Sequence, residues 1–75
     1  MLNRKLFVER LRVLREQRQI TIVDVADALG LKKQSIHQWE TTKTLPSADK
    51  LIELADYFDV PIDYLVGRSD DPVRR

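Results

Sequence analysis

The chain has 75 residues, 43% apolar and 33% charged, with a net charge of +1, a composition typical of one small globular domain whose core must be all-helical or stapled. It contains no cysteine, which excludes disulfides and thiolate metal sites. No apolar run approaches the length of a membrane span and no signal-peptide pattern opens the chain, so we expect a cytoplasmic protein without a membrane partner.

The first predicted helix runs from a cap at Asn3 to about Gln17. Its apolar residues recur at positions i, i+4 and i+7 and form the core stripe: Phe7, Leu11 and Leu14. Leu6 and Val13 lie roughly 100° from that stripe. They would be either a half-buried fringe of the core or part of a partner surface.

The segment from Thr21 to Glu40 predicts two short helices joined by one tight turn. Thr21 can cap the first helix, with Asp24 three residues on as its partner in a near capping box. Gly30 follows the last apolar position, where a helix needs a left-handed residue to stop. The inward-facing residues of the pair recur at helical spacing: Val25, Ala26, Leu29, Ile36 and Trp39.

A polar linker follows and is closed by Pro46, after which Ser47 can cap another helix. The apolar stripe of that helix is Leu51, Leu54, Ala55 and Phe58. A last short helix follows the break at Val60-Pro61 and ends at Gly67. The sequence thus predicts an all-α, five-helix domain over residues 1–67 and a mobile tail over residues 68–75.

Charge is unevenly distributed along the chain. Residues 1–46 carry nine Lys/Arg and five Asp/Glu, a net of +4, whereas residues 47–75 carry four and seven, a net of −3. The basic part contains the two-helix segment, which favours a polyanionic partner on that side of the domain.

Two details of the segment are typical of a known motif. The methyl side chain of Ala26 lets the second helix cross closely over the first, and a short turn that starts with Gly30 holds the two at a steep angle. The segment resembles the helix-turn-helix family of phage repressors and Cro proteins, often termed the XRE family. The resemblance covers about residues 6–67 without a gap and includes further matching positions: Phe7, Arg10-Leu11, Leu14-Arg15, Trp39-Glu40, Pro46-Ser47 and Asp63-Tyr64-Leu65-Val66-Gly67.

The resemblance implies a lambda-repressor-like domain that binds double-stranded DNA sequence-specifically and regulates transcription as a repressor. In such proteins the second helix of the motif lies in the major groove, and two-fold dimers bind inverted half-sites. We therefore expect a homodimer, at least on DNA, formed through the Leu45 region and the Tyr64–Val66 end of the domain. No cofactor or small-molecule ligand is implied.

The outer face of the motif's second helix carries the candidate binding residues. Stepping about 100° per residue from an inward Ile36 places polar side chains on the far side or flank of the core: Gln34, Ser35, His37, Gln38 and Thr41. None is acidic, and a glutamine can pair with adenine in the major groove. The alternative is that these are solvated residues of an exposed helix.

Position by position, the resemblance assigns roles to these residues. Those that match base-reading sites are Lys33, Gln34 and Gln38. Ser35 and Lys43 match sites that mostly contact backbone phosphate. Lys32, His37 and Thr41 are not assigned by the resemblance but are also expected at the backbone or its flanks. Lys32 stands where Ser or Thr normally caps a helix, and with Lys33 it puts positive charge at the positive end of the helix dipole. A phosphate at that end would make both lysines favourable.

Arg15 and Glu40 are expected to form a buried ion pair between the first and third helices, because family members with these two residues commonly bury them. The alternative is an exposed Glu40 bonded to water. Two positions depart from the family pattern. Ile22 replaces a glutamine that often bonds a phosphate, and Thr41-Thr42 replaces a pair that often contains glycine, which changes the expected path towards Lys43.

Two other functions are less well supported by the sequence. The sequence does not favour an enzymatic function. Ser35 and His37 are two residues apart on a helix, so their side chains point about 200° apart and cannot act together as nucleophile and base. No histidine or cysteine pair has the spacing of metal ligands, and Asp70-Asp71 is expected to belong to a solvated tail. The more serious rival is a protein-interaction or antitoxin-type module on the same fold, which apolar Ile22 and Val23 favour and the lysines and glutamines oppose.

Overall fold

A computed structural model describes residues 2–41 and 44–74 of the chain. Within these residues it contains helices and no strand, which confirms the all-α prediction. The five helices are α1 (Arg4–Arg18), α2 (Ile22–Leu29), α3 (Lys33–Thr41), α4 (Ala48–Phe58) and α5 (Ile62–Leu65). The elements agree with those predicted from the sequence, with ends that differ by about one residue.

Local side-chain chemistry explains where the helices begin. The carboxamide of Asn3 accepts from the Leu6 amide at the start of α1. At α2, the Thr21 hydroxyl accepts from the Asp24 amide at 3.2 Å, and the Asp24 carboxylate accepts from the Thr21 amide at 2.9 Å. This complete capping box confirms the prediction and fixes the first turn of α2.

Left-handed residues end three of the helices. Gly30 ends α2 with φ +68°, as predicted. Gln19 ends α1 with a φ of 54° and Asp59 ends α4 with a φ of 55°, a backbone conformation that is less common for residues other than glycine. Because neither position carries glycine, the sequence left the end of α1 uncertain.

The core joins all five helices and contains every stripe residue that the sequence predicted, apart from Leu51, which is partly buried. Its buried members are Phe7, Leu11, Leu14, Val25, Ala26, Leu29, Ile36, Trp39, Leu54, Ala55, Phe58, Val60 and Leu65. Ala26 retains 2% exposure, consistent with the close approach of α3 that a methyl-sized side chain permits. Leu6 is half-buried fringe, and Val13 remains 38% exposed.

The segment after α5 packs against α1 and α4. Arg10 of α1 donates to the carbonyl oxygens of Tyr64 and Ser69 and to the Asp70 carboxylate, and its guanidinium lies 4.3 Å from the centre of the Tyr64 ring. Arg74 pairs with Asp56 of α4 at 2.7 Å. The mobility of residues 68–75 stays a prediction, but the contacts of residues 68–74 favour a docked segment.

Candidate nucleic-acid interface

The third helix turns three residues into the core and presents the rest outward. Ile36, Trp39 and Glu40 are buried. The exposed residues of α3 are Lys33, Gln34, His37, Gln38 and Thr41, and Ser35 is partly buried. The structure therefore brings the predicted base-reading residues onto one exposed surface, with Lys32 exposed just before it.

The charge of this surface has one sign. Within Lys33–Thr41, all of which the structure describes, the one acidic residue is Glu40, and its side chain is 4% exposed. Lys33 begins α3 and Lys32 directly precedes it, at the positive end of the helix dipole. Lysine side chains offer no acceptor for the backbone amides of the first helical turn. An anion bound there would interact favourably with both lysines and with the dipole.

Gln34 and Gln38 lie one helical turn apart and are both exposed. An amide side chain offers donors and an acceptor together, so it can match the paired donor and acceptor on the major-groove edge of adenine. Thr41 uses its hydroxyl hydrogen within the helix, since it donates to the His37 carbonyl oxygen at 2.8 Å. That hydroxyl keeps an acceptor position for other partners.

A cleft lies between the start of α2 and the outer face of α3. Its volume is about 330 Å³, and Ile22, Lys33, Gln34 and His37 line it. Ile22 is half-buried and packs against the core, whereas its neighbour Val23 is 48% exposed. The sequence had placed apolar surface near this edge without showing that Ile22 and α3 enclose a cleft.

A helix-turn-helix family model matches residues 11–65, most of the chain and all of the surface just described. The chain belongs to the XRE-type helix-turn-helix family. The resemblance seen in the sequence is thereby confirmed, and this is a family of DNA-binding transcriptional regulators, which are generally not enzymes.

Relatives of this XRE-type domain include proteins from Bacillus subtilis and Vibrio cholerae. The transcriptional regulator YobD of Bacillus subtilis is 37% identical over 67 residues, which cover 89% of this chain and 60% of YobD. The cryptic phage CTXphi transcriptional repressor RstR of Vibrio cholerae is 33% identical, over 80% of this chain and 54% of RstR. The chain thus spans somewhat more than half the length of these relatives.

A solved structure shares the fold. The crystal structure of a transcriptional regulator from Listeria innocua matches with a TM-score of 0.78 and 31% identity, covering 87% of this chain and 61% of that protein. The likeness extends beyond the two-helix motif to most of this XRE-type domain.

An ion pair fixes the position of α3 within the XRE-type domain. Arg15 of α1 donates to both carboxylate oxygens of Glu40 near the end of α3. This confirms the predicted pair and shows that the exposed alternative for Glu40 is wrong. Thr42 and Lys43, which follow α3, lie outside the described residues, so the backbone role of Lys43 stays a prediction.

Two features of the surface beyond the motif bear on other predictions. Leu65 and Val66 are 0% and 7% exposed and belong to the core, so they offer little surface to a second protomer, and the dimer surface stays a prediction. Among the described residues, no cluster of His, Asp or Glu has the geometry of a metal site, and no helix is long and apolar enough to cross a membrane.

Proposed function

We propose that this domain binds double-stranded DNA sequence-specifically, with α3 in the major groove, and represses transcription. The observation that carries the proposal is the outer face of α3, where two glutamines one turn apart follow two lysines and no acidic side chain is exposed. This arrangement suits a partner that is a polyanion and also presents hydrogen-bonding edges.

The proposed contacts fall into two groups, those with base edges and those with the phosphate backbone. Lys33, Gln34 and Gln38 contact base edges, because they project from the exposed face of the helix that the groove would receive. Lys32, Ser35, His37, Thr41 and Lys43 contact or flank the phosphate backbone, which sets register and supplies affinity that does not depend on sequence.

Assembly and regulatory role are part of the same proposal. The domain binds as a homodimer on an inverted-repeat operator, because one α3 spans only a few base pairs and half-sites about one helical turn apart suit a two-fold dimer. Repression is supported by the similarity to RstR, which is named as a transcriptional repressor. The cytoplasmic location inferred from the sequence remains a prediction.

Selection from random duplex DNA tests the proposal. The wild-type domain should enrich an inverted repeat, and its affinity for that repeat should exceed that for a scrambled duplex by about 10³-fold or more at a fixed salt concentration. Equal affinity for both duplexes, or no binding of either, would reject sequence-specific recognition.

One observation favours a second candidate, an interaction or antitoxin-type module. Val23 is 48% exposed beside the half-buried Ile22, which leaves apolar surface at the start of α2. A domain of that kind would show no enrichment in the DNA selection, so the same experiment separates the two functions.

A further inference from the structure

We infer that the cleft between α2 and α3 receives the C5-methyl group of a thymine, and that Ile22 is a specificity-determining residue. The inference rests on the proposed function, because it concerns the same DNA surface. It adds an apolar contact from α2 to the polar contacts of α3.

The cleft borders the exposed face of α3 that is proposed to contact DNA. Ile22 is the first residue of α2, and the three other lining residues, Lys33, Gln34 and His37, all belong to the exposed face of α3. Two of them, Lys33 and Gln34, are the proposed base-reading residues at the start of that helix. Because Ile22 and Gln34 line the same cleft, a DNA strand that contacts Gln34 would pass beside Ile22.

The lining of the cleft suits an apolar group. Ile22 lines this space together with Lys33, Gln34 and His37, and the lining is mostly apolar, because long polar side chains contribute their aliphatic stems. Among unmodified bases, the apolar group that the major groove presents is the thymine C5-methyl group. A cleft of about 330 Å³ has room for that methyl group and the adjoining base edge.

Charge decides between DNA and an apolar protein partner. Of the four side chains described as lining the cleft, one is cationic and none is acidic, and Lys32 lies exposed nearby in sequence. A methyl group carried on a polyanion satisfies both the apolar lining and the lysines. A purely apolar partner would cover Lys33 without offering it a counter-charge.

The test changes the methyl group alone. A site is first enriched with the wild-type domain, and each thymine in it is then replaced singly by uracil, which lacks the methyl group but keeps the hydrogen-bonding edge. At one thymine per half-site, uracil should weaken wild-type binding about fourfold, the effect of one buried methyl-sized group. Dissociation constants are measured by fluorescence anisotropy at one salt concentration.

Variants assign the effect to Ile22. Ile22→Ala should bind the thymine and uracil duplexes equally at that position, whereas the neighbouring control Val23→Ala should keep the full preference for thymine. Circular dichroism establishes that both variants are folded. The wild-type comparison needs no substitution, so a wild-type domain indifferent to uracil rejects the methyl contact even where Ile22→Ala is unstable.

Several outcomes overturn the inference. They are a selected half-site without thymine, a wild-type domain indifferent to uracil at every thymine, and a thymine preference that Ile22→Ala retains. If the wild-type domain enriches a site but shows one of these results, the methyl contact is wrong and the proposed function stands. If it enriches no sequence at all, the proposed function fails as well.

Discussion

One guanidinium nitrogen of Arg15 donates to both carboxylate oxygens of Glu40, at 3.1 and 3.2 Å, and so ties α1 to the last turn of α3. The Glu40 side chain is 4% exposed, whereas that of Arg12, whose Nε lies 3.7 Å from the same carboxylate, is 53% exposed. Arg15 is therefore the principal partner of Glu40. The pair lies on the inner side of α3 and helps to fix the position of the helix. It thereby also positions the outer side of α3, which is proposed to contact DNA.

Removing the acidic partner should destabilise the domain. Glu40→Ala leaves the largely buried Arg15 charged without its counter-ion, which should cost about 3–5 kcal/mol in the free energy of unfolding. A small domain has only about 5–15 kcal/mol in total, so the loss is large. Urea denaturation measures it, with Glu16→Ala, an exposed glutamate of α1, as the control that should change little. Equal stability of the two variants would contradict the account.

The packing of the segment after α5 should depend on Arg10 more than on Asp70. The Arg10 side chain is 11% exposed and donates to two backbone carbonyls, whereas Asp70 is 99% exposed. Arg10→Ala should lower the free energy of unfolding by at least about 1.5–3 kcal/mol, the contribution of one hydrogen bond with a charged group. Asp70→Ala should have a much smaller effect because water screens an exposed pair. Urea denaturation of both variants checks the ranking, and the reverse ranking would contradict it.

Salt dependence should reveal the lysines that contact phosphate. Lys32→Ala should weaken binding to all DNA sequences about equally and flatten the slope of log K against log salt by about 0.9 for one lost phosphate contact. Lys43→Ala should behave in the same way if its predicted role is correct. Lys5→Ala removes an exposed lysine of α1 outside the motif and should leave the slope unchanged. A slope that Lys32→Ala does not alter would remove the phosphate contact from the account.

Of the residues predicted at the dimer surface, Leu45 is 41% exposed, whereas Leu65 and Val66 are buried. Leu45→Ser should weaken the binding of two protomers to an inverted-repeat duplex while leaving the fold intact. Ile52→Ser is a matched control, because Ile52 of α4 is similarly exposed at 46%. Native mass spectrometry counts the protomers on each duplex. One wild-type protomer on a non-palindromic site would contradict a dimer.

Most of the fold could be predicted because its signals are local. The Thr21–Asp24 capping box, the Gly30 helix end and the spacing of core residues are all visible within a few positions. The end of α1 lacked such a signal, because Gln19 adopts a left-handed conformation without being glycine. Helix geometry also placed Gln34 and Gln38 on the outer face, since that face is fixed once Ile36 points inward.

The features that the sequence did not predict depend on residues far apart in the chain. Arg10 contacts residues 54 to 60 positions away, and no local pattern indicates that these will meet. The cleft could not be predicted from the sequence for the same reason. It requires the start of α2 to lie beside α3, and only the crossing of the two helices brings Ile22 and Gln34 to one cleft. The Arg15–Glu40 pair, 25 positions apart, was predicted through the family resemblance alone.

The central claim is that Lys33, Gln34 and Gln38 read bases while Lys32 and Lys43 contact the phosphate backbone. Gln38 tests it because its side chain is exposed on α3 one turn beyond Gln34. A control that keeps the residue type is Gln17→Ala, an exposed glutamine on α1 outside the motif, which should leave DNA binding unchanged.

The decisive measurement compares dissociation constants of the wild type and Gln38→Ala on the selected site, on each single-base variant of it and on random DNA. The account predicts a loss of about 1–3 kcal/mol on the selected site, relaxed discrimination at one base pair per half-site, and nearly unchanged binding to random DNA. An equal loss of affinity on every sequence would show that Gln38 does not read bases and would contradict the central claim.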